Sequence, residues 1–474
     1  MPNPSNTAHK GKDQDQGKNK AQRYLLAAGF LALFFANQSV LVLAVPFYQM
    51  TLALDPVWLS LAIAVPMLLG SSISGYVGRA SDRCQSRFGR RRPFLLAGVL
   101  GLSLSFVLMW QVPADWPPLW QLGYFAALSL LFFLALPLLA VPLSSLVFEQ
   151  TPEPRQRTAV FGLASAVQKL GSLGYQWLVP LSQLALFSSF QQGVRWVGAL
   201  IGTLLIALPG LWLALCSRDS TSHESTSRES IGHESSHATP DTVHAKPPPV
   251  AQTSLDLLRR RPALRWLLLL CLLQLCGCAF VATMDYYLLV YAMNQADLVA
   301  GSWWKALLSS GYALAGLAFV PVLAWSSARF GAVRTLLWVF VLNTLGGAAK
   351  WWLYQGDPTY WLLLDALMCS AAWTAMAMLI PPLLAQTEPP ASRQYGAISA
   401  LHHWVVSVSA ALSMLLSGLA LNGLGFAAQA GAVQAAGVLD SMRALLSGGT
   451  VLCSLFALAA LWRYQRLQFL EEHP

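Results

Sequence analysis

Apolar runs of about twenty residues recur twelve times along this chain, and they limit its fold more tightly than anything else in the sequence. They lie at roughly Arg23–Val45, Val57–Gly78, Pro93–Val112, Trp120–Val147, Thr158–Leu184, Val194–Cys216, Arg265–Tyr291, Ser302–Ser326, Val333–Tyr354, Tyr360–Gln386, Tyr395–Leu421 and Ala444–Trp462. Each can cross a hydrocarbon core of ~30 Å at ~1.5 Å rise per residue. Backbone groups in lipid must be paired internally, so helix is the economical solution. With 55% hydrophobic and only 11% charged residues, the chain reads as an all-α polytopic membrane protein of twelve transmembrane helices.

The opening "MPNPSNTAHKGKDQDQGKNK" is polar and basic and has no cleavage pattern ahead of the first span, which predicts that it stays in the cytosol. Twelve spans put both chain ends on one side. Nearly all Lys and Arg fall there too: only Arg195, Lys305, Lys350 and Arg443 lie near the other side, and Lys169 lies within a span. Positive residues mark the inside, so a plasma-membrane protein with cytosolic N- and C-termini is expected. The net charge of +9 then reflects topology and anionic lipid rather than nucleic acid. Trp110, Trp116, Trp120, Trp351, Trp352 and Trp361 cluster at the expected outer ends, as aromatic belts do. The seven cysteines (Cys84, Cys216, Cys271, Cys276, Cys278, Cys369, Cys453) all fall in spans or on the cytosolic side, which predicts free thiols.

Composition divides the chain further. Residues 1–22 read as a disordered basic terminus, 23–216 as a six-helix bundle, 217–263 as a disordered linker rich in Ser, His, Glu and Pro, 264–465 as a second six-helix bundle and 466–474 as a cytosolic tail. His223, His233, His237 and His244 sit in the linker; a solvated spacer fits that composition better than a metal site. The two bundles echo each other. "RFGRRR" (Arg87–Arg92) after the second span returns as "RFGAVR" (Arg329–Arg334) after the eighth, 242 residues later. "EQTPEPRQRTAVFG" (Glu149–Gly162) after the fourth returns as "AQTEPPASRQYGA" (Ala385–Ala397) after the tenth. Two parallel six-helix repeats are the architecture of the major facilitator fold, which holds its solute near the midplane between halves.

The stretch from Gly78 to Phe94, "GRASDRCQSRFGRRRPF", carries six arginines and one aspartate. At about 2.5–3.5 kcal/mol each, those arginines cannot enter the bilayer and pin the loop inside. Gly89 permits a tight turn, and Pro93 suits the first turn of a helix. Asp82 can accept from a neighbouring arginine or a helix N-terminus.

The string Ser81–Phe94 is similar, nearly letter for letter, to the sucrose/proton symporter family of plants and its animal and bacterial relatives. That family belongs with the glycoside–pentoside–hexuronide symporters of the major facilitator superfamily. Weaker echoes are "PFYQ" (Pro46–Gln49), "LGY" (Leu173–Tyr175) and "DYYLLVY" (Asp285–Tyr291). The resemblance implies sugar:proton symport by alternating access. It also implies a cytosolic gate in which Asp82 latches the closed side, with Arg83, Gly89, Arg90, Arg91 and Glu149 around it. The alternative for that loop is a topology anchor alone.

Polar groups inside spans are costly and mark candidate sites. Lys169 lies near the midplane, on one helix face with Ser165, Ser172 and Gln176. That face lines either a cavity or a static interhelix contact. Asp285 is either the carrier of the coupling proton or an acid at the outer boundary. His402 can titrate, and His403 shares a face with Ser399 and Ser407; a structural role is the alternative for both. Asn37 and Gln38 offer the donor–acceptor pairs sugar recognition needs, Tyr286 flanks Asp285, and Trp373 or Trp404 can stack on a pyranose ring. Asp365 and Lys350 read as outer-end charges that pair or snorkel. Where the family carries Arg-Ala-Leu-Leu-Ala-Asp at the end of the fourth span, this chain has Ser144–Glu149: the acid stays, the coupling arginine is Ser144, and Lys169 is the candidate substitute.

The expectation is therefore a sugar:proton symporter acting as a monomer in the bilayer, with no cofactor, metal or nucleic acid. The alternatives are an exporter or antiporter of a larger amphipathic solute, or a non-transporting sensor or assembly factor. No nucleophile–base constellation or phosphate loop points to an enzyme.

Overall fold

A computed structural model of the chain describes residues 4–84, 86, 89–113, 115–150, 154–217, 261–387, 395–426 and 434–472. The described residues form twelve helical spans. The first six are α1 (Pro4–Ala44, continued by a π-helical turn Val45–Thr51), α2 (Pro56–Arg83), α3 (Arg92–Met109), α4 (Pro118–Gln150), α5 (Pro154–Gly174, then a 3₁₀ turn Tyr175–Trp177 and Leu178–Ser182) and α6 (Phe190–Leu200 through Leu208–Cys216). The second six are α7 (Pro262–Tyr287 with a π-helical turn Leu288–Ala292), α8 (Leu298–Phe330), α9 (Ala332–Leu353), α10 (Leu363–Gln386), α11 (Tyr395–Gly423) and α12 (Ala436–Glu472). The linker proper, with its four histidines, lies outside the described residues.

Two boundaries differ from expectation. Helix α1 begins at Pro4, so the basic segment expected to be disordered continues the first span as helix. And eleven of the helices are long and apolar enough by themselves to cross a membrane, against twelve expected; α5 is the exception among the described residues. Its arginines near the start, Lys169 and the serines dilute its hydropathy, and the 3₁₀ turn interrupts it.

The repeat is deeper than the two sequence echoes. In the first half α2 and α3 pack on α4, and α1 packs on α5 and α6; in the second α8 and α9 pack on α10, and α7 packs on α11 and α12. Asp55 caps α2 by accepting from the N–H groups of Val57 and Trp58, and Asp297, 242 residues later, caps α8 through Val299 and Ala300. Arg195 on α6 donates to the Val112 carbonyl beyond α3 (2.9 Å), as Arg443 on α12 donates to the Tyr354 carbonyl ending α9 (3.0 Å). The glycines of the two "RFG" echoes both turn the chain with positive φ, +103° at Gly89 and +86° at Gly331, where a Cβ would strain the backbone.

Each half buries its own apolar core. Phe35, Phe47, Phe106, Trp110, Phe125 and Phe132 fill the first; Leu267, Phe340, Ile380 and Tyr464 belong to the second. The halves meet along two symmetry-related seams, α2 against α11 and α5 against α8. Below, the face bearing the arginine loop is the loop face and the opposite one is the distal face.

Candidate functional site

Between the halves lies a cavity of about 380 Å³, within the ~300–1,000 Å³ range typical of small-molecule sites. Six helices line it: α1, α2 and α5 from one half, α7, α8 and α11 from the other. On α1 the lining runs from Gln38 to Gln49 and on α11 from Ala410 to Leu421, so the cavity extends from mid-membrane toward the distal face rather than sitting only at the midplane.

Helix α7 organises its polar wall. Asp285 is 5% exposed, and both its carboxylate oxygens lie 2.7 Å from Lys305 Nζ on α8. On the adjoining positions the Tyr286 hydroxyl pairs with Ser302 (2.9 Å), and Thr283 donates to Ser417 on α11 (2.9 Å). The Tyr287 hydroxyl crosses to the other half and donates to Gln49 Oε1 (2.8 Å). Gln49 reaches that position because the π-helical turn shifts the end of α1. Its neighbour Tyr48 turns into the first half and donates to the Met109 carbonyl, leaving Gln49 for the cavity. Such turns inside helices recur at functional sites.

The distal side is sealed across the halves. Asn422 donates to Asp55 (2.8 Å), so the residue that caps α2 also ties α11 to it. Trp177 Nε1 donates to Ser310 (2.9 Å), and Gln183 Nε2 to the Leu298 carbonyl (3.4 Å). At Gly418 the seam is so close that a Cβ would lie 2.6 Å from the Pro56 carbonyl oxygen and 2.5 Å from Ser60 Oγ. Gly418→Val is therefore expected to wedge the distal ends apart at a cost of about 1–3 kcal/mol to the closed form. A cysteine placed at Leu421 would then react faster with an impermeant maleimide supplied from the distal side; unchanged labelling would mean the seam yields without opening.

Of the residues expected at the site, Gln38, Gln176, Asp285 and Tyr286 line the cavity. The others do not. Asn37 Nδ2 donates to Leu33 of its own helix (2.9 Å), and Ser172 to the Lys169 carbonyl (2.7 Å). Lys169 is exposed, seven residues from Gln176, and is not part of the cavity wall. The Ser165–Lys169–Ser172–Gln176 stripe assumes an unbroken α-helix; the 3₁₀ turn at Tyr175–Trp177, at ~120° per residue instead of ~100°, rotates its end by roughly 60°. Trp373 and Trp404 are 40% and 56% exposed and lie off the cavity, Trp373 beside Gln274 and Cys278. His402 is half-buried on α11. Ser144 donates back to Ala140 of its own helix (2.9 Å).

The side chains of Ser165, His403, Asp82 and Glu149 lie outside the described residues; of the other residues named for the arginine loop, Gly89 turns the chain, Arg83 is exposed, Arg90 is half-buried and Arg91 is 4% exposed. Next to them Arg92 Nε donates to the Ser217 carbonyl (2.9 Å), tying α3 to the end of α6.

Three residues were missed as site members. In sequence Lys305 reads only as an outer charge, and Gln49 and Tyr287 only as parts of the "PFYQ" and "DYYLLVY" echoes. A helical face carrying Ser302, Lys305 and Ser309 was the available signal for the first. Lys350, in the last turn of α9, and Asp365, in the first turn of α10, do pair, at 2.6 Å, and the pair is buried within the second half. Asp365 has no exposure and also accepts from Tyr312 (3.0 Å) and Tyr354 (3.0 Å).

The family described as MFS/sugar transport protein matches residues 25–466. Among characterised and named proteins, a 62-residue segment is 38% identical to the sucrose transport protein SUC4 of Arabidopsis thaliana, spanning 13% of this chain and 12% of that one. An uncharacterized symporter of Bacillus subtilis, YnaJ, is 24% identical over 84% of this chain and 81% of its own. Of solved structures, the nucleoside transporter NupG superposes with a TM-score of 0.66 over 93% of this chain and 99% of its own, at 13% identity. Twelve helices in two matching halves, a cavity on the seam between them and a family match over nearly the whole length make this multi-pass membrane protein a secondary transporter of the major facilitator superfamily, belonging to the MFS/sugar transport protein family.

Proposed function

We propose that the protein carries a neutral polyhydroxylated solute, a mono- or disaccharide, together with a proton, by rocking one half against the other, with the arginine loop and both termini in the cytosol of a plasma membrane. The observation that carries this is a single ion pair, Asp285–Lys305, set in the wall of a cavity otherwise furnished with neutral donors and acceptors. Gln38, Gln49, Gln176, Ser60, Thr283 and Ser413 present the amides and hydroxyls that sugar recognition needs, and Tyr175 adds an aromatic ring.

The pair supplies a coupling logic. In the empty carrier the two charges compensate each other, and Lys305 is only 21% exposed. A proton on Asp285 removes the compensation and frees the ammonium to donate to solute oxygens. A solute on Lys305 in turn weakens its hold on Asp285 and favours proton uptake there, so each ligand promotes the other. Asp285 and Lys305 thereby take the part the related family assigns to an arginine of the fourth span, which is Ser144 here. The sucrose-transporter segment and the symporter relative favour this reading over export of an amphipathic solute.

The test is uptake of labelled sucrose, maltose and glucose into proteoliposomes with and without an inward proton gradient. Accumulation of one sugar only with the gradient is the expected result. No accumulation of any of them by protein of known orientation would sink the proposal.

A further inference from the structure

We propose that Gln49 couples solute binding to closure of the distal face: its amide nitrogen donates to an oxygen of the solute while its amide oxygen holds Tyr287 of the other half. The inference rests on the sugar reading of the cavity and names the residue that senses occupancy.

Gln49 is 2% exposed and lines the cavity near its distal end. Its Oε1 accepts from Tyr287 at 2.8 Å, but its Nε2 is buried with no hydrogen-bond partner among the described residues. A buried amide donor without a partner is costly, and native proteins leave few of them. Gln49 lines the cavity, so a solute there is what can bring an acceptor to this donor. The complement of an N–H is an acceptor oxygen, such as the hydroxyl, ring or glycosidic oxygen of a sugar; an ammonium group offers none.

The other end of the amide is fixed equally well. The Tyr287 ring packs edge-on against Phe426, with centroids 5.2 Å apart at 78°, so its hydroxyl has little freedom to follow a wandering partner. Gln49 and Tyr287 belong to different halves and sit on the two related helices, Gln49 within the π-helical turn of α1 and Tyr287 just before that of α7. A solute oxygen that orients the Gln49 amide therefore strengthens a bond between halves. By linkage, solute binding and distal closure then favour each other.

Tyr287→Phe removes the cross-half bond and keeps the ring; Gln49→Leu removes both bonds. Each is made with Leu421→Cys and read in two ways: labelling by a membrane-impermeant maleimide from the distal side, and equilibrium binding of sucrose, maltose and glucose to purified protein. Without sugar, both variants are expected to label about fivefold faster than the parent, the population shift one hydrogen bond sets. With the bound sugar added, labelling of the parent slows further. Tyr287→Phe still binds that sugar, yet its labelling no longer responds. Gln49→Leu loses about tenfold in affinity, as expected when a buried donor to the ligand is removed. Unchanged labelling in both variants, or parental affinity in Gln49→Leu, overturns the proposal. Faster labelling in the variants of a parent that binds none of the three sugars overturns the solute half, and the sugar reading with it, and leaves Gln49 as a closure residue only.

Discussion

Asp285→Asn is expected to abolish gradient-driven accumulation of the solute while leaving exchange of solute across the membrane intact. The substitution keeps the shape of the side chain and its place beside Lys305, but it can neither bind nor release a proton. A carrier fixed in that state resembles the proton-loaded one. It can bind solute and reorient, yet a proton gradient has nothing to act on. Counterflow of labelled against unlabelled sugar separates the two steps: it should persist, and it should no longer vary with pH. Loss of exchange as well would show that the carboxylate holds the fold or the solute, and retained accumulation would remove Asp285 from the coupling altogether. Lys305→Ala makes the complementary case, because it leaves the carboxylate facing the cavity without its cation.

The second large effect is expected on stability. Asp365→Ala should cost about 3–5 kcal/mol, the usual penalty for stranding one member of a buried ion pair. Lys350 is 5% exposed, so its ammonium would be left buried without the carboxylate that pairs it. The hydroxyls of Tyr312 and Tyr354 lose their acceptor at the same time. Thermal unfolding of the detergent-purified protein should show a marked fall in midpoint. Replacing both members, Asp365→Leu with Lys350→Met, should recover much of the loss, since well-packed apolar pairs often match or exceed buried ionic ones. A single variant as stable as the parent would mean that Lys350 finds another anion.

The two ion pairs also mark the limit of what the sequence carries. Span count and the repeat rest on local facts, namely run length, composition and the spacing of "RFG" echoes, and these survive folding unchanged. Asp285 was visible as an ionisable group inside an apolar run. Lys305, Lys350 and Asp365 were visible only as charges near helix ends, because depth was judged from residue number. Whether such a charge faces lipid, headgroup or a neighbouring helix depends on helix rotation, which the partner helix sets. Lys169 failed for the converse reason: its stripe is regular in sequence, but the 3₁₀ turn at Tyr175 breaks the regularity. Gln49 needed knowledge of a π-helical turn that no periodicity announces.

The same interruption of α5 bears on how the protein is made. Among the described residues, all eleven companions of α5 are long and apolar enough to enter lipid alone, whereas α5, with Arg155, Arg157 and Lys169 on it, is not. Each such cation raises the cost of insertion by about 2.5–3.5 kcal/mol if it reaches the bilayer centre. Its principal packing partner is α1, made well before it, against which Gly171 nestles at Phe34 and Phe35. The expected consequence is that α5 enters lipid against the surface α1 already offers, so substitutions at the α1–α5 contact should lower the yield of correctly threaded protein before they touch transport.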